Sequence, residues 1–255
     1  MNLSNKFDSK IILLSGSKGG CGISFIAYSI SAYFAKNTNK NMLLLDLNIG
    51  KEDSRIIFDI SGDNYRDLGD IEELAGELDL AILKKLIINF DSSLNLILPS
   101  LKIEKNKFYN GKNLGALLDF LRKSFDIILI DFPYQLFVQS NLDFLEYINK
   151  FVLISLPDLI SINNLDILTK RIGYDDYPYS FDILINKFNS RPAISPSRIN
   201  NILKCPVKAF IPYDRDIEFL FLSRGPFSIF NYNLRIVKNI TDYAEVLYEE
   251  LSNGN

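Results

Sequence analysis

The chain has 255 residues, 47% of them hydrophobic, with a net charge of −3 and a pI near 5.2. That supplies enough apolar material for a large α/β core and too little positive charge for a protein that coats nucleic acid through its bulk charge. Histidine is absent, so imidazole-dependent nucleophile pairs and imidazole metal sites are excluded, and the two cysteines, Cys21 and Cys205, make neither a disulfide framework nor a zinc site.

In chain order, the polar stretch 1–10 is expected to be a short or disordered arm. The first apolar run, IILLS at 11–15, leads through SKGGCGISF (17–25) into helical spacing over 24–35. MLLLD (42–46) is a second run, and 50–89 mixes charged and apolar residues without a clear strand, so loop and helices are expected there. LNLIL (94–98) is followed by KIEKNKFYNGK (102–112), a polar loop whose lysines read as a solvated rim. A helix over 113–123 precedes IILID (127–131), and FVLIS (151–155) precedes a helix over 159–172. FDILIN (181–186), PVKAFI (206–211) and a last helix over 234–251 complete the pattern. Runs that are apolar throughout, rather than alternating, are what strands covered on both faces look like. Their alternation with helices predicts one three-layer α/β domain over 1–255, a mostly parallel sheet with helices on both faces. There is no linker-like stretch and no repeat. Without a leader-like segment or an apolar run near the ~18 residues of a membrane span, a cytoplasmic protein is expected.

SKGGCGISF sits where a phosphate loop has to sit, between a buried strand and a helix. Glycines let backbone N–H groups turn inward around an anion, and the helix adds its positive end. Ser24 holds the position whose hydroxyl would meet Mg²⁺, but Ile23 stands where a P-loop has lysine. A tight Gly-rich turn with no ligand is the plain alternative. Asp46 and Asp131 end apolar strands, the usual place for ligand groups in an open α/β sheet, although capping or strand-end solvation would also put Asp there. Asn48 and Asn186 fit turn or strand-end positions in any case. Cys21, although at a helix start, reads as a small filler, and Cys205 as packing beside Pro206.

KGGCGIS (18–24) resembles the deviant Walker loop KGGxGK[ST] of the ParA/MinD ATPases. LLLDLNIG (43–50) is similar to that family's DxD segment, ILIDFPY (128–134) to its Walker B strand, and ILINKF (183–188) with IPYD (211–214) to the segments that hold adenine. The strings LLLDLNIGKEDSRIIFDI, FDIILIDFP and SLPDLISINN look closest to the CpaE/TadZ pilus-assembly branch, with FlhG-type flagellar-placement proteins as the competitor. The resemblance implies ATP or ADP with Mg²⁺ on the loop Lys18, Gly19, Gly20, Cys21, Gly22, Ile23, Ser24 and Phe25, with Asn186, Pro212 and Asp214 at the base. It implies Mg²⁺ on Ser24, Asp46 and Asp131, directly or through water, with Asn48 at the water-placing position. Lys18 would reach phosphates across a nucleotide-dependent homodimer. Protein partners in a larger pilus- or flagellum-type assembly would recruit the chain to a cell pole or membrane-associated apparatus.

Ile23 removes one charge that phosphoryl transfer uses, and Asn48 can orient a water but cannot act as a carboxylate base. The expectation is therefore at most a slow ATPase that uses nucleotide as a switch. The alternative is a nucleotide-free scaffold that binds partner proteins. The last helix has an apolar stripe but carries Asp242, Glu245, Glu249 and Glu250, so no direct membrane anchor is expected. Nucleic acid is not expected either. The aromatic stretches 132–137 and 217–232 read first as core, with a partner surface as the second reading.

Overall fold

Strand β1 (Lys10–Gly16) shows why the apolar runs form a sandwich of layers. Alternate side chains of a strand point to opposite faces, so Ile11 and Leu13 enter one core while Ile12 and Leu14 enter another. The computed structural model describes residues 9–61, 65–70, 84–102, 111–139, 142–174, 180–190 and 193–253, the last residues of 111–139 by backbone alone. In it β1 is joined by β2 (Met42–Asp46), β3 (Ile88–Asn89), β4 (Leu94–Ile97), β5 (Ile127–Asp131), β6 (Lys150–Ser155), β7 (Phe181–Ile185) and β8 (Val207–Phe210). The strand order is β3-β4-β2-β5-β1-β6-β7-β8, and every pairing is parallel except β3 with β4. The expected mostly parallel sheet is what forms.

Helices α1 (Ile23–Asn37), α2 (Asp53–Ile57), α3 (Gly111–Leu121), α4 (Tyr134–Gln139), α5 (Leu159–Arg171), α6 (Pro196–Ile202), α7 (Arg215–Arg224) and α8 (Arg235–Asn253) cover it. Apolar residues of α3, α5 and α6 fill the core on one face, and those of α1, α7 and α8 fill the other. The apolar stripe of α8 (Ile236, Val237, Ile240, Tyr243, Ala244, Leu247, Leu251) is buried in the core on that face. Among the described residues no helix is long and apolar enough to cross a membrane.

A buried polar clip ties α8 to the strand starts. Lys150, with its side chain 8% exposed, bonds Asp182 Oδ1 at 2.8 Å and Glu250 Oε2 at 2.8 Å. Tyr243 donates to Asp182 Oδ2 at 3.0 Å, and Lys208 holds the other oxygen of Glu250 at 2.6 Å. Burial raises Glu250, but the Lys150 and Lys208 contacts outweigh it and hold the carboxyl below its ordinary range.

Several local expectations change. The mixed region contains strand β3, which at Ile88–Asn89 is too short to leave a periodic signal. Gly111 and Lys112, read as the end of a polar loop, begin α3 instead. β8 is only half-buried because it closes the sheet at one edge. FPYQLF is mostly core, in line with its first reading: Phe132 is buried against Phe137 (ring centroids 4.6 Å apart) and Phe144 (5.3 Å). In the second aromatic stretch Phe221 is buried, whereas Phe219 is exposed. Residues 1–8 of the arm expected over 1–10, part of the mixed region, and 103–110 of the loop expected over 102–112 lie outside the described residues, while Lys10, placed in the arm, begins β1.

Candidate functional site

The strand order changes direction around β1, so its carboxyl end and those of its neighbours bound a crevice of the kind that takes ligands in open α/β sheets. The loop between β1 and α1 lies there. Gly20 and Gly22 take φ of 80° and 86°, left-handed values that favour glycine. Gly22 is doubly required, because a Cβ there would stand 2.3 Å from Asn186 Nδ2. The loop is braced at its root. Ser17 N donates to Ile154 O at 3.0 Å, and Ser17 Oγ lies 3.1 Å from Ser155 Oγ and 3.3 Å from Cys21 Sγ. Cys21 is fully buried in this brace, as a filler would be.

Asn186 connects the two expected halves of the site. Its Nδ2 donates to Cys21 O at 2.8 Å and its Oδ1 accepts from Lys187 N at 2.9 Å, so it holds the loop from behind. A cleft of about 380 Å³ opens beside it, lined by Gly22, Ser24, Phe25, Asn186, Pro212 and Asp214 among others. The carboxylate of Asp214 is engaged as the N-cap of α7, accepting from Asp216 N and Ile217 N at 3.0 Å each. Ile23 turns back onto the root of the loop, where its Cδ1 and Cγ1 would stand 3.0 Å from a Cβ on Gly16. Lys18 Nζ is 3.2 Å from Asp158 Oδ2 in the same chain. Burial raises Asp158, but Ser161 and Lys18 together hold its carboxyl below the ordinary range.

Asp46 and Asp131 stand side by side because β2 and β5 pair in register there. Both are about 1% exposed, which removes strand-end solvation as their explanation. Asp46 is well supplied with donors. Its Oδ1 accepts from Asn48 N at 2.9 Å and Asn48 Nδ2 at 2.7 Å, and its Oδ2 from Tyr28 Oη at 2.9 Å. Asn48 therefore turns its amide inward to Asp46. Among the described residues neither oxygen of Asp131 has a hydrogen-bond partner. Burial pushes Asp131 up to about 8, and the neighbouring Asp46 charge adds to this. Ser24, Asn48 and Lys51 favour the ionised form, although Ser24 and Asn48 complete no hydrogen bond of ordinary geometry to it.

A buried carboxylate without partners is costly unless something else meets it. A divalent cation fits that need. Among the described residues no cluster of three or more His, Cys, Asp or Glu side chains could hold a metal. Mg²⁺ keeps waters and takes phosphate oxygens beside one or two carboxylates, so it needs no full cage of protein ligands. Asp131, Asp46 and Ser24 are the residues that would hold it, and it would neutralise phosphate charge there.

The raised pKa of Asp131 makes a stability prediction. Its folded-state value lies above the ordinary 3.8, so the native protein binds the extra proton between about pH 4 and pH 8. Stability from this group is then lost as pH rises through that window, by at most about 1.4 kcal/mol per pH unit. Urea titrations in EDTA at pH 5 and pH 8 should show this fall, and Asp131→Asn should reduce it. An equal slope in the variant would mean that Asp131 is not the group responsible.

Sequence reasoning missed several members of the site. Tyr28 lies four residues after Ser24 and so on the same helix face, a spacing that could have flagged it. Asp158 opens α5 as an N-cap with Ser161 three residues on, another readable signal. Lys187, with φ of 52°, places Nζ 3.4 Å from Glu218 and 5.2 Å from the Tyr213 ring centroid, which nothing local predicts.

No family model matches the chain, and no curated protein matches it. Solved structures do. A ParA family ATPase from Chlorobium tepidum superposes with a TM-score of 0.76 at 23% identity, over 94% of this chain and 99% of that one. The septum site-determining protein MinD of Pyrococcus horikoshii, complexed with Mg-ADP, gives 0.73 at 17% identity over 96% and 98%. The MinC:MinD cell division complex of Aquifex aeolicus gives 0.74 at 21% over 95% and 96%. The chain thus has the fold of the ParA/MinD P-loop NTPases, with a glycine loop, a buried carboxylate pair and a cleft at the sheet's ligand-binding edge.

Proposed function

We propose that this chain is a nucleotide-binding positioning or assembly factor of ParA/MinD type, with a degenerate Walker loop and weak or absent hydrolysis. It takes ATP or ADP with Mg²⁺, forms a homodimer when loaded, and serves an apparatus of pilus or flagellar kind through protein partners. The observation that carries the reading is the unpartnered, buried Asp131 beside Ser24 at the mouth of the loop. A site kept in that state is suited to a cation that arrives with phosphate. The Mg-ADP state of one neighbour and the MinC complex of another support the cofactor and a protein partner. The backbone N–H groups around Gly20 and Gly22, with the start of α1, would cradle the phosphates. Asn186 and Pro212 would border the base. The packing of Ile23 onto Gly16 and the engagement of Asn48 with Asp46 both support slow turnover.

The same two observations favour a second reading, a scaffold that binds no nucleotide. Calorimetry of ATP and ADP with Mg²⁺, on protein stripped of carried-over nucleotide, separates the two. Micromolar binding is expected, lost or weakened at least roughly tenfold in Ser24→Ala, as a lost contact to a charged group would cause. Lys18→Ala should leave nucleotide binding to the monomer less affected and abolish nucleotide-dependent dimerisation. No heat at several temperatures, with an unshifted melting temperature, would leave the scaffold reading.

A further inference from the structure

The two strand-end carboxylates are treated very differently. Asp131 receives no donor, while Asp46 receives three. Two of those fill Oδ1, since a carboxylate oxygen has two acceptor sites. Oδ2 takes the Tyr28 hydroxyl, and Ser54 lies near the carboxylate without completing a hydrogen bond of ordinary geometry, so among the described residues Oδ2 keeps one unfilled acceptor site. Tyr28 has little freedom to point elsewhere. It is 1% exposed, and its ring centroid lies 5.4 Å from that of Phe58 and 6.3 Å from that of Phe221.

We propose that Tyr28 is a positioning residue for the cation. Its hydroxyl aims Asp46 Oδ2 so that this carboxylate meets the ion or its water at a fixed angle beside the uncommitted Asp131. Asn48 completes the arrangement by saturating Oδ1, which gives this residue a supporting role in place of water placement. Groups that orient a metal's carboxylates commonly set its affinity as much as the ligands do. The inference rests on the nucleotide-site reading above.

The test is ATP calorimetry across a Mg²⁺ series and in EDTA, for the parent, Tyr28→Phe, Asp46→Asn and the double variant. Phenylalanine keeps the ring contacts, so the melting temperature reports whether the fold is intact. Tyr28→Phe should raise the Mg²⁺ concentration for half-maximal effect roughly tenfold, while Mg²⁺-free affinity changes less than about twofold. In the Asp46→Asn background it should add nothing, because the group it aims is gone. An unchanged Mg²⁺ midpoint, or an equal effect with and without Asp46, overturns the positioning role alone. A parent that binds no ATP overturns the nucleotide site and this role together.

Discussion

Replacing Lys150 by alanine is expected to destabilise the protein by about 3–5 kcal/mol, as removal of one partner from a buried ion pair does. Asp182 is 2% exposed and would keep only the Tyr243 hydroxyl among the two contacts described above. Glu250 would lose its contact to β6 and keep the one from Lys208 of β8, so part of the hold on α8 would go. The pair is not retained because it is the most stabilising solution. Buried ion pairs often roughly break even against apolar replacements of similar size, and the large loss comes from stranding one charge. Lys150→Met combined with Asp182→Asn should therefore recover much of the stability that either single change loses. Urea unfolding followed by circular dichroism reads this directly, as a lower midpoint with an unchanged slope. A loss below about 1 kcal/mol for Lys150→Ala, the range of exposed pairs, would show that water reaches Asp182 and that the clip is a surface contact.

The second large effect concerns turnover. Ile23→Lys should strengthen ATP binding by roughly ten- to a hundredfold, since a charge-assisted hydrogen bond is worth ~1.5–3 kcal/mol. Ile23 lies along the loop root against Gly16, and the apolar stem of a lysine would take its place there with the ammonium extending beyond it. Adding Asn48→Asp should then raise hydrolysis by on the order of a hundredfold over the parent, the scale of one restored transition-state contact. Asn48→Asp alone should behave differently. It would replace an amide donor at 2.7 Å from Asp46 with a third carboxylate, so the variant should be less stable in EDTA and recover with Mg²⁺ and nucleotide. Phosphate release and melting curves measure the two effects separately. If Ile23→Lys leaves ATP affinity unchanged, that position does not face phosphate, and the loop is degenerate in shape as well as in charge.

Much of the architecture was legible in the residues. Runs such as IILLS and IILID have too few polar residues for a half-exposed strand, so burial on both faces, and with it a layered sheet, followed from composition. KGGCGIS could be read as a tight glycine-rich turn, and in the structure Gly20 and Gly22 take left-handed φ of 80° and 86° there. The two strand-end aspartates could be marked as site candidates from position alone. Strand β3 and the start of α3 could not be placed, because two residues or a helix opening with Gly-Lys carry no periodic signal.

What only the tertiary structure decided is which groups meet. Asp46 and Asp131 are neighbours because β2 pairs with β5 in one register, a result of the whole sheet's packing that neither segment encodes. The same holds for Lys18 with Asp158, Tyr28 with Asp46, and Lys150 with Asp182. Local sequence sets what each side chain can donate or accept. Whether a buried carboxylate ends with three donors or none depends on long-range contacts, and that difference separates Asp46 from Asp131.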